Sequence, residues 1–596
     1  MCGIVGYAGT DERAVLDVLM NGLSGLEYRG YDSAGVAVTN ASLSVYKREG
    51  ELSALEEVLP EELDGFAGVG HTRWSTHGPP SDANAHPHTD CSGRVAVVHN
   101  GIVENYEELR ADLESRGHNF ESETDTEVVP HLIETHLENG VDPETAFRRT
   151  VERLEGSYAV AAVFSGRETM YATRQESPLV LGVGDDGHYL ASDAPAFIEY
   201  TDRVIYLEDG QFATITPTDV TVTDDGGRPV DVTVRRLEWE PEDAGKSGYD
   251  HYMLKEINEQ PTAIRRCLAG RVRELNGAVT IEELETLERP SAVQFVACGT
   301  SYHASLFGAR LLRERGVPAQ AFLASEYDAA TTPVEEGTLV VGVTQSGETA
   351  DTLGALRSAN RAGATTLAVT NVVASSADRE CDHTMYIRAG PEIGVAATKT
   401  FASQQVALAM VANALTEENP RAFLEGLRNL PDHVQSVLDD SRAQVVAERY
   451  EGADAYFFIG RGYNHPVALE GALKMKEISY EHAEGFAAGE LKHGPLALVT
   501  SRTPVFAVVG SDAPSEKTLS NVTEVESRGA PVVAVTDSPG RVERHADALL
   551  EVPETHPCLT PILANVQLQL VSYHVANRLG RSIDKPRNLA KSVTVE

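Results

Sequence analysis

The stretch Val343–Asn371 recurs at Val509–Asp537, with Leu353 aligned to Leu519, Gly363 to Gly529 and Asn371 to Asp537 at a constant offset of 166. Upstream, FVACGTS from Phe295 pairs with FIGRGYN from Phe458 at an offset of 163, so a short insertion separates the two matched blocks. A repeat of this size is one supersecondary unit used twice. Each copy reads as strand, turn, helix, strand. Phe295–Gly299, Thr338–Thr344 and Thr365–Asn371 are predicted strands, and Ser301–Arg315 and Thr349–Ala362 predicted helices. That alternation demands parallel sheets covered by helices on both faces, hence two α/β lobes.

The copies differ where strand meets helix. The first has Thr344, Gln345, Ser346, Gly347 and Thr349, whose hydroxyls, amide and glycine ahead of a helix N-terminus suit an anion cradle. A capping turn without ligand fits the same pattern. The second has Ser511, Asp512, Ala513 and Pro514. There a carboxylate repels phosphate and a proline offers no N–H, so the lobes are expected to have diverged.

The first 235 residues follow another grammar. Ile4–Tyr7, Val95–His99, Tyr158–Phe164 and Val204–Leu207 read as strands, Val103–Arg116 as a helix stopped by Gly117, and Val220–Val234 as a hairpin turning on Gly226 and Gly227. The polar, aperiodic run from Trp239 to Gly248 reads as a linker. With 42% hydrophobic residues the chain can fill its cores, and no apolar run is long enough to span a membrane. The net charge of −40 disfavours nucleic acid and anionic membranes as partners. Ten lysines against forty arginines, with 90 acidic residues, suit a protein hydrated in concentrated salt, and a halophilic host is expected. The six cysteines (2, 91, 267, 298, 381 and 558) have no CxxC or CxxH spacing, which argues against disulfides and a thiolate zinc site. Cys91 reads as structural, and a cytoplasmic location is expected.

The chain begins Met1-Cys2-Gly3. Removal of Met1 would give Cys2 a thiol nucleophile and, in its α-amine, a base of ordinary pKa about 7.7–8.0. With CGIVG go LEYRGYDSAG from Leu26, HTRWSTHG from His71, HNGIVEN from His99 and Thr124-Asp-Thr-Glu127. In these motifs the sequence resembles the class II, N-terminal-nucleophile glutamine amidotransferases. The resemblance implies a sandwich of antiparallel sheets between helices. It implies that Arg73 holds the glutamine carboxylate and Asp125 its ammonium, with Trp74, Thr76 and His77 lining the pocket. Asn100 and Gly101 would form the oxyanion hole.

The rest of the chain resembles sugar isomerase (SIS) domains. End to end the sequence is similar to the glutamine–fructose-6-phosphate aminotransferase (isomerizing) family. The marks are ACGTSYHA from Ala297, QSGETADT from Gln345, GVAATK from Gly394, the run from Glu470 through KHGPLAL, and PRNLAKSVTVE from Pro586. That resemblance implies L-glutamine and D-fructose 6-phosphate as substrates and D-glucosamine 6-phosphate as product. Ser301, Thr344, Gln345, Ser346 and Thr349 would bind the sugar phosphate. Ala397 stands where the family carries serine, which removes one hydroxyl from the sugar site. Lys591 would form a Schiff base with the ketose, and Glu477 would carry the proton between C1 and C2, with Lys474 on the same helix face. His493, from the neighbouring subunit of a homodimer, would assist ring opening. Ammonia would cross an internal channel gated by Trp74 and reaching Ala590. No metal and no organic cofactor is implied.

The helix from Pro466 is expected to bury Ala468, Ala472, Met475 and Ile478 and to carry Glu470, Lys474, Glu477 and Glu481 as a polar stripe. Periodicity alone leaves open whether that stripe is solvated. The expected organisation is a glutaminase domain over 2–235, a linker over 236–250, SIS lobes over 251–435 and 436–583, and a catalytic tail over 584–596. Two other readings compete: a glutamine-dependent transferase acting on a different acceptor, opposed by the tandem lobes, and a non-catalytic sugar-phosphate sensor, opposed by Glu477, His493 and Lys591.

Overall fold

The computed structural model describes the chain except residues 1, 12, 76, 238–244, 274–277, 417–419, 512 and 594–596. Thr76, Asp512 and most of the expected linker therefore lie outside the described residues. The chain forms two compact units, Met1–Gly245 with Ala590–Glu596, and Lys246–Leu589.

In the first unit, an eight-stranded sheet runs in the order Arg235–Arg236, Arg203–Tyr206, Val180–Val183, Gly187–Ala191, Gly3–Gly9, Ala67–Arg73, Ser33–Thr39, Leu43–Glu49. A six-stranded sheet has Val95–Val103 and Gly156–Phe164 near one edge. The pairs given for both sheets are antiparallel. Successive side chains of a strand point to opposite faces, and the sequence exploits this. Ala96 and Val98, with Ala159 and Ala161, face the larger sheet and pack with Ile4, Ala8 and Val69. Val95, Val97, Val160 and Ala162 face the other way, against Leu132, Ile133 and Phe147 of the helices Val128–Glu138 and Pro143–Val151. Alanines on the inner faces let the sheets approach closely. The expected sandwich of antiparallel sheets between helices is what the unit forms.

Two local expectations change. The helix predicted from Val103 starts at Tyr106, because Val103 still pairs with Gly156 in the sheet and gives its N–H to Asp125 Oδ2 at 2.8 Å. The hairpin over 220–234 keeps only its first strand, Val220–Thr223. Beyond the turn there is a single bridge, Thr223 to Pro229, since proline has no N–H for a ladder.

The second unit contains two five-stranded parallel sheets of identical order. The first runs Ala319–Leu323, Ala292–Ala297, Thr338–Val343, Thr365–Thr370, His383–Tyr386. The second runs Ala483–Ala487, Tyr456–Gly460, Val505–Val508, Val532–Thr536, Ala548–Glu551. In chain order each reads 2-1-3-4-5, so the sequence repeat is a repeat of topology. The central strand Thr338–Val343 is buried on both faces, as a helix-covered parallel sheet requires. Two almost wholly buried helices, Lys399–Thr416 and Thr560–Arg578, belong to one continuous core that joins both lobes. The first predicted strand stops at Ala297, and Gly299 already opens the helix Gly299–Glu314.

Candidate active sites

Cys2 precedes the strand Gly3–Gly9, which pairs with Ala67–Arg73, so HTR and the terminus share one sheet edge. The Trp74 N–H points at Cys2 Sγ at 3.3 Å, and Sγ lies 3.5 Å from the Trp74 carbonyl. The Cys2 carbonyl accepts from Arg29 Nε at 3.1 Å and from Asn100 Nδ2 at 2.9 Å. Arg29 is buried and pairs with Asp193, which also accepts from the Tyr28 hydroxyl at 2.6 Å. The terminus is thus clamped from two sides.

The orientation of Asn100 is decided by His71. His71 Nε2 lies 3.1 Å from Asn100 Oδ1 and 3.0 Å from the His99 carbonyl, two acceptors, so Nε2 carries the hydrogen. With Oδ1 engaged, the Asn100 NH2 must face Cys2. Burial pushes the His71 pKa down to about 3, so it stays a neutral donor. His86, His88 and His99 are buried beside it and lowered by the same cause. The next residue, Gly101, has φ +115°, and a Cβ there would lie 2.0 Å from the Ser157 carbonyl oxygen; only glycine fits.

Arg73 is buried and gives Nη2 to the carbonyls of His77 and Gly78, while its buried Nη1 has no partner among the described residues. An unpaired guanidinium N–H in a buried site is a ready donor for a carboxylate. Asp125 is buried, with Oδ2 held by the Val103 N–H. Trp74 meets Tyr31 edge-on at 5.5 Å, and His77 meets Tyr106 at 5.9 Å.

In the second unit the stripe on the helix Asn464–Ser479 is withdrawn from water at Glu470 and Lys474 and half-buried at Glu477, while Glu481 falls beyond the helix end and pairs with Arg581. Glu470 and Lys474 are fully buried. Lys474 Nζ lies 2.6 Å from Glu477 and 3.3 Å from Glu470, and it donates to Thr300 Oγ1 at 3.2 Å. Glu470 also accepts from Thr300 at 3.0 Å and faces His303 Nδ1 at 2.7 Å. Burial alone would lower the Lys474 pKa, but the two carboxylates outweigh it and raise it above the ordinary lysine value. Burial likewise opposes ionisation of Glu470, and Lys474 with His303 overcomes it. Because Thr300 and His303 come from the first lobe, this network crosses both. Ser301 accepts from Gln404 of the buried helix at 3.0 Å.

The loop Thr344–Thr349 is tightly formed. Thr344 Oγ1 lies 3.0 Å from Thr349 Oγ1 and accepts the Gly347 N–H at 3.2 Å, while Ser346 Oγ accepts the Glu348 N–H. Gly347 has φ +72°, and a Cβ there would overlap Ser375 Oγ at 2.1 Å. The GVAATK loop is held by two buried carboxylates: Glu256 takes the N–H of Gly394, and Glu392 those of Thr398 and Thr400. Ala397 sits half-buried within it. A cavity of about 570 Å³ opens beside the first turn of the Glu470 helix and is lined by Arg310, Arg313, Arg461, His465 and Lys517. This basic wall, to which the second copy contributes Lys517, was not read from the repeat.

The Glu477 helix also anchors the chain that leads to the tail. Arg581 Nε bonds the Ser479 carbonyl, the Arg587 N–H bonds the Tyr480 hydroxyl, and both guanidinium groups lie over the Tyr480 ring. Tyr480 itself turns the helix off at φ +64°. His493 is exposed on the turn after Glu490–Lys492. Ala590 and Lys591 are half-buried and belong to the unit that contains Cys2. Arg29, His71 and Asp193 were not singled out from sequence. The first two lie inside quoted motifs, which was the available signal; Asp193 lies in none.

A glutamine amidotransferase domain model matches residues 71–199, and a SIS domain model matches 286–414 and 450–577. The chain is 54% identical over 613 aligned positions to the glutamine–fructose-6-phosphate aminotransferase (isomerizing) of Halobacterium salinarum, with all of both chains covered. The chain belongs to the glutamine–fructose-6-phosphate aminotransferase (isomerizing) family. The enzymes of that name from Symbiobacterium thermophilum and Thermus thermophilus are 51% and 47% identical, again over the full length of both chains. Among solved structures, the C-terminal domain of glucosamine-fructose-6-phosphate aminotransferase from Francisella tularensis is 37% identical with a TM-score of 0.54, covering 57% of this chain and 99% of that one. No helix among the described residues is long and apolar enough to cross a membrane.

Proposed function

We propose that the chain transfers the amide nitrogen of L-glutamine to D-fructose 6-phosphate and isomerises the adduct to D-glucosamine 6-phosphate, with L-glutamate as second product. The observation that carries the glutamine half is the Asn100 carboxamide, fixed at its oxygen by His71 and presenting its NH2 at Cys2. With Met1 removed, the Cys2 α-amine takes the thiol proton and the thiolate attacks the amide carbonyl. Asn100 Nδ2 and the Gly101 N–H stabilise the oxyanion. Collapse expels ammonia with a proton from the α-ammonium and leaves a thioester, which water hydrolyses to glutamate. Arg73 and Asp125 hold the carboxylate and ammonium of the substrate, and Trp74, Thr76 and His77 enclose it.

On the sugar side Thr344, Gln345, Ser346 and Thr349 hold the phosphate at the N-terminus of the helix Ala350–Arg361, and Ser301 contacts the sugar. Lys591 condenses with the C2 carbonyl, releasing water, and His493 of a second copy in a homodimer assists ring opening. Ammonia displaces Lys591 from C2. Glu477 then takes a proton from C1 and returns it to C2, which converts the ketose imine into the aldose amine. The buried Lys474, 2.6 Å away, keeps Glu477 oriented. Trp74 and Ala590 bound the ammonia path. On this reading residues 2–235 are the glutaminase, 236–250 the linker, 251–435 and 436–583 the sugar lobes, and 584–596 the catalytic tail. The net charge of −40 suits a salt-rich cytoplasm.

Incubating the protein with both substrates in molar KCl, followed by mass spectrometry of the products, tests the reading. Glucosamine 6-phosphate and glutamate in equal amounts are expected. Glutamate with nitrogen on another acceptor would favour a different transferase, and no turnover of either substrate would favour a sensor. Borohydride should trap fructose 6-phosphate on Lys591, and Lys591→Ala should abolish the adduct.

A further inference from the structure

The first unit also brings together four side chains that no step of the proposed reaction uses: Cys91, His118, His131 and Glu134. Cys91 lies on the turn after the strand His88–Thr89. His118 follows the helix Tyr106–Ser115. His131 and Glu134 lie three apart on the helix Val128–Glu138, and therefore on one face. One ligand atom of each lies within 4.8 Å of all the others. Cys91 Sγ is 3.8 Å from His118 Nδ1 and 3.5 Å from His131 Nδ1, and Glu134 Oε2 is 3.0 Å and 3.4 Å from the same two nitrogens. A tetrahedral zinc at about 2.3 Å from sulfur and about 2.0–2.1 Å from nitrogen and oxygen places its ligand atoms roughly 3.4–3.6 Å apart.

An outer contact fixes which ring atom of His118 carries hydrogen. Thr135 Oγ1 donates to the His131 carbonyl at 3.0 Å, so it accepts from His118 Nε2 at 3.1 Å. His131 turns Nε2 toward the Glu127 carboxylate at 3.7 Å. His118 Nδ1 is left without hydrogen to face Glu134 Oε2 and the Cys91 sulfur, while His131 Nδ1 lies against the same two atoms; Glu134 Oε2 also takes the Cys91 N–H at 3.2 Å. A single cation would take both nitrogens, the sulfur and the carboxylate oxygen at once. Carboxylate and hydroxyl partners behind the histidines are the outer shell that metal-bound imidazoles use. Phe120 closes one side, 4.6 Å from the His131 ring, whereas Cys91 is exposed and leaves an entry path.

The geometry points to a structural zinc site formed by Cys91 Sγ, His118 Nδ1, His131 Nδ1 and Glu134 Oε2. The metal would tie the turn at Cys91 to the helix that begins three residues after Asp125. It would act further through His131 on Glu127, whose carboxylate holds the N–H groups of Glu121 and Ser122 at 2.8 Å and 2.7 Å. Cysteine spacing could not reveal the site, because its ligands come from three separate segments and only one of them is a cysteine.

The test uses the full-length chain, stripped with EDTA and titrated with cobalt(II) in molar KCl, which suppresses loose binding to the acidic surface. One equivalent should give the strong visible bands of a four-coordinate cobalt thiolate, and one equivalent of zinc should displace it and raise Tm. Cys91→Ser, an exposed substitution that leaves the core intact, should remove the thiolate band and weaken binding at least tenfold. Glu134→Gln should weaken binding while keeping the band. Absence of a stoichiometric band, or a band unchanged in Cys91→Ser, would overturn the assignment.

Discussion

Beneath Cys2, His71, His86, His88 and His99 are buried and held neutral, and they act through directed hydrogen bonds. Between the sugar lobes, Glu470 and Lys474 are equally buried but charged: Lys474 is made tolerable by Glu470 and Glu477, and Glu470 by Lys474, His303 and Thr300. The contrast follows from the chemistry each region has to support. An oxyanion hole needs uncharged donors aimed at one point, because a fixed cation would also bind the ground state or neutralise the thiolate. A proton shuttle on a sugar needs a carboxylate held in place, which the adjacent buried cation does for the half-buried Glu477.

The sharpest break between the regions is chemical. Cys2→Ala should reduce glutamine hydrolysis by about 10⁴-fold or more. Interconversion of fructose 6-phosphate and glucose 6-phosphate should continue at the original rate, as followed by a coupled assay. Loss of both activities would show that the sites are not separable.

Next comes the charge network. Lys474→Met leaves Glu470 buried with only Thr300 and His303 against it, and should cost about 3 kcal/mol in the second unit. Calorimetry should show that transition falling while the first unit's stays in place. A variant as stable as the parent would mean that Glu470 takes its proton at little cost.

Acid should act in the same sense on the two regions but more strongly on the first. A histidine whose folded pKa lies below its unfolded value of about 6.5 contributes stability above that pH, and the contribution is lost as pH falls, because only the unfolded chain takes up the proton. With its pKa lowered to about 3, His71 alone should cost the first unit about 2 kcal/mol between pH 7 and pH 5. Glu470 is shifted down and Lys474 up, so their stabilisation is complete across that window. The half-buried His465, His556 and His574 give the second unit a smaller slope of the same sign. Calorimetry at pH 7, 6 and 5 should therefore move the first unit's transition further than the second's.

The smallest effect isolates orientation. His71→Asn should lower kcat for glutamine about tenfold with KM nearly unchanged, since Asn100 loses its fixed pose while Arg73 and Asp125 still bind substrate. A raised KM with unchanged kcat would place His71 in binding instead.

Much of this was legible in the residues. The offset of 166 announced the duplicated lobes because strand-end and helix-end positions tolerate few residue types. The apolar run Val95–His99 read as a strand, and the structure places it inside Val95–Val103. What stayed hidden was long-range. Val103 continues the strand because Gly156 pairs with it, and no local signal carries that. The stripe Glu470–Lys474–Glu477 has the same spacing whether it faces water or a second lobe, so its burial became visible only with Thr300 and His303 against it. Arg29 and His71 touch no substrate group in the assigned roles and act through Cys2 and Asn100.

The account rests on nitrogen passing from the Cys2 site to the ketose without mixing with the solvent. Amide-¹⁵N glutamine and fructose 6-phosphate, supplied together with excess unlabelled ammonium, measure this directly in the glucosamine 6-phosphate formed. The account predicts product almost fully labelled; label diluted to the composition of the bulk ammonium would contradict it.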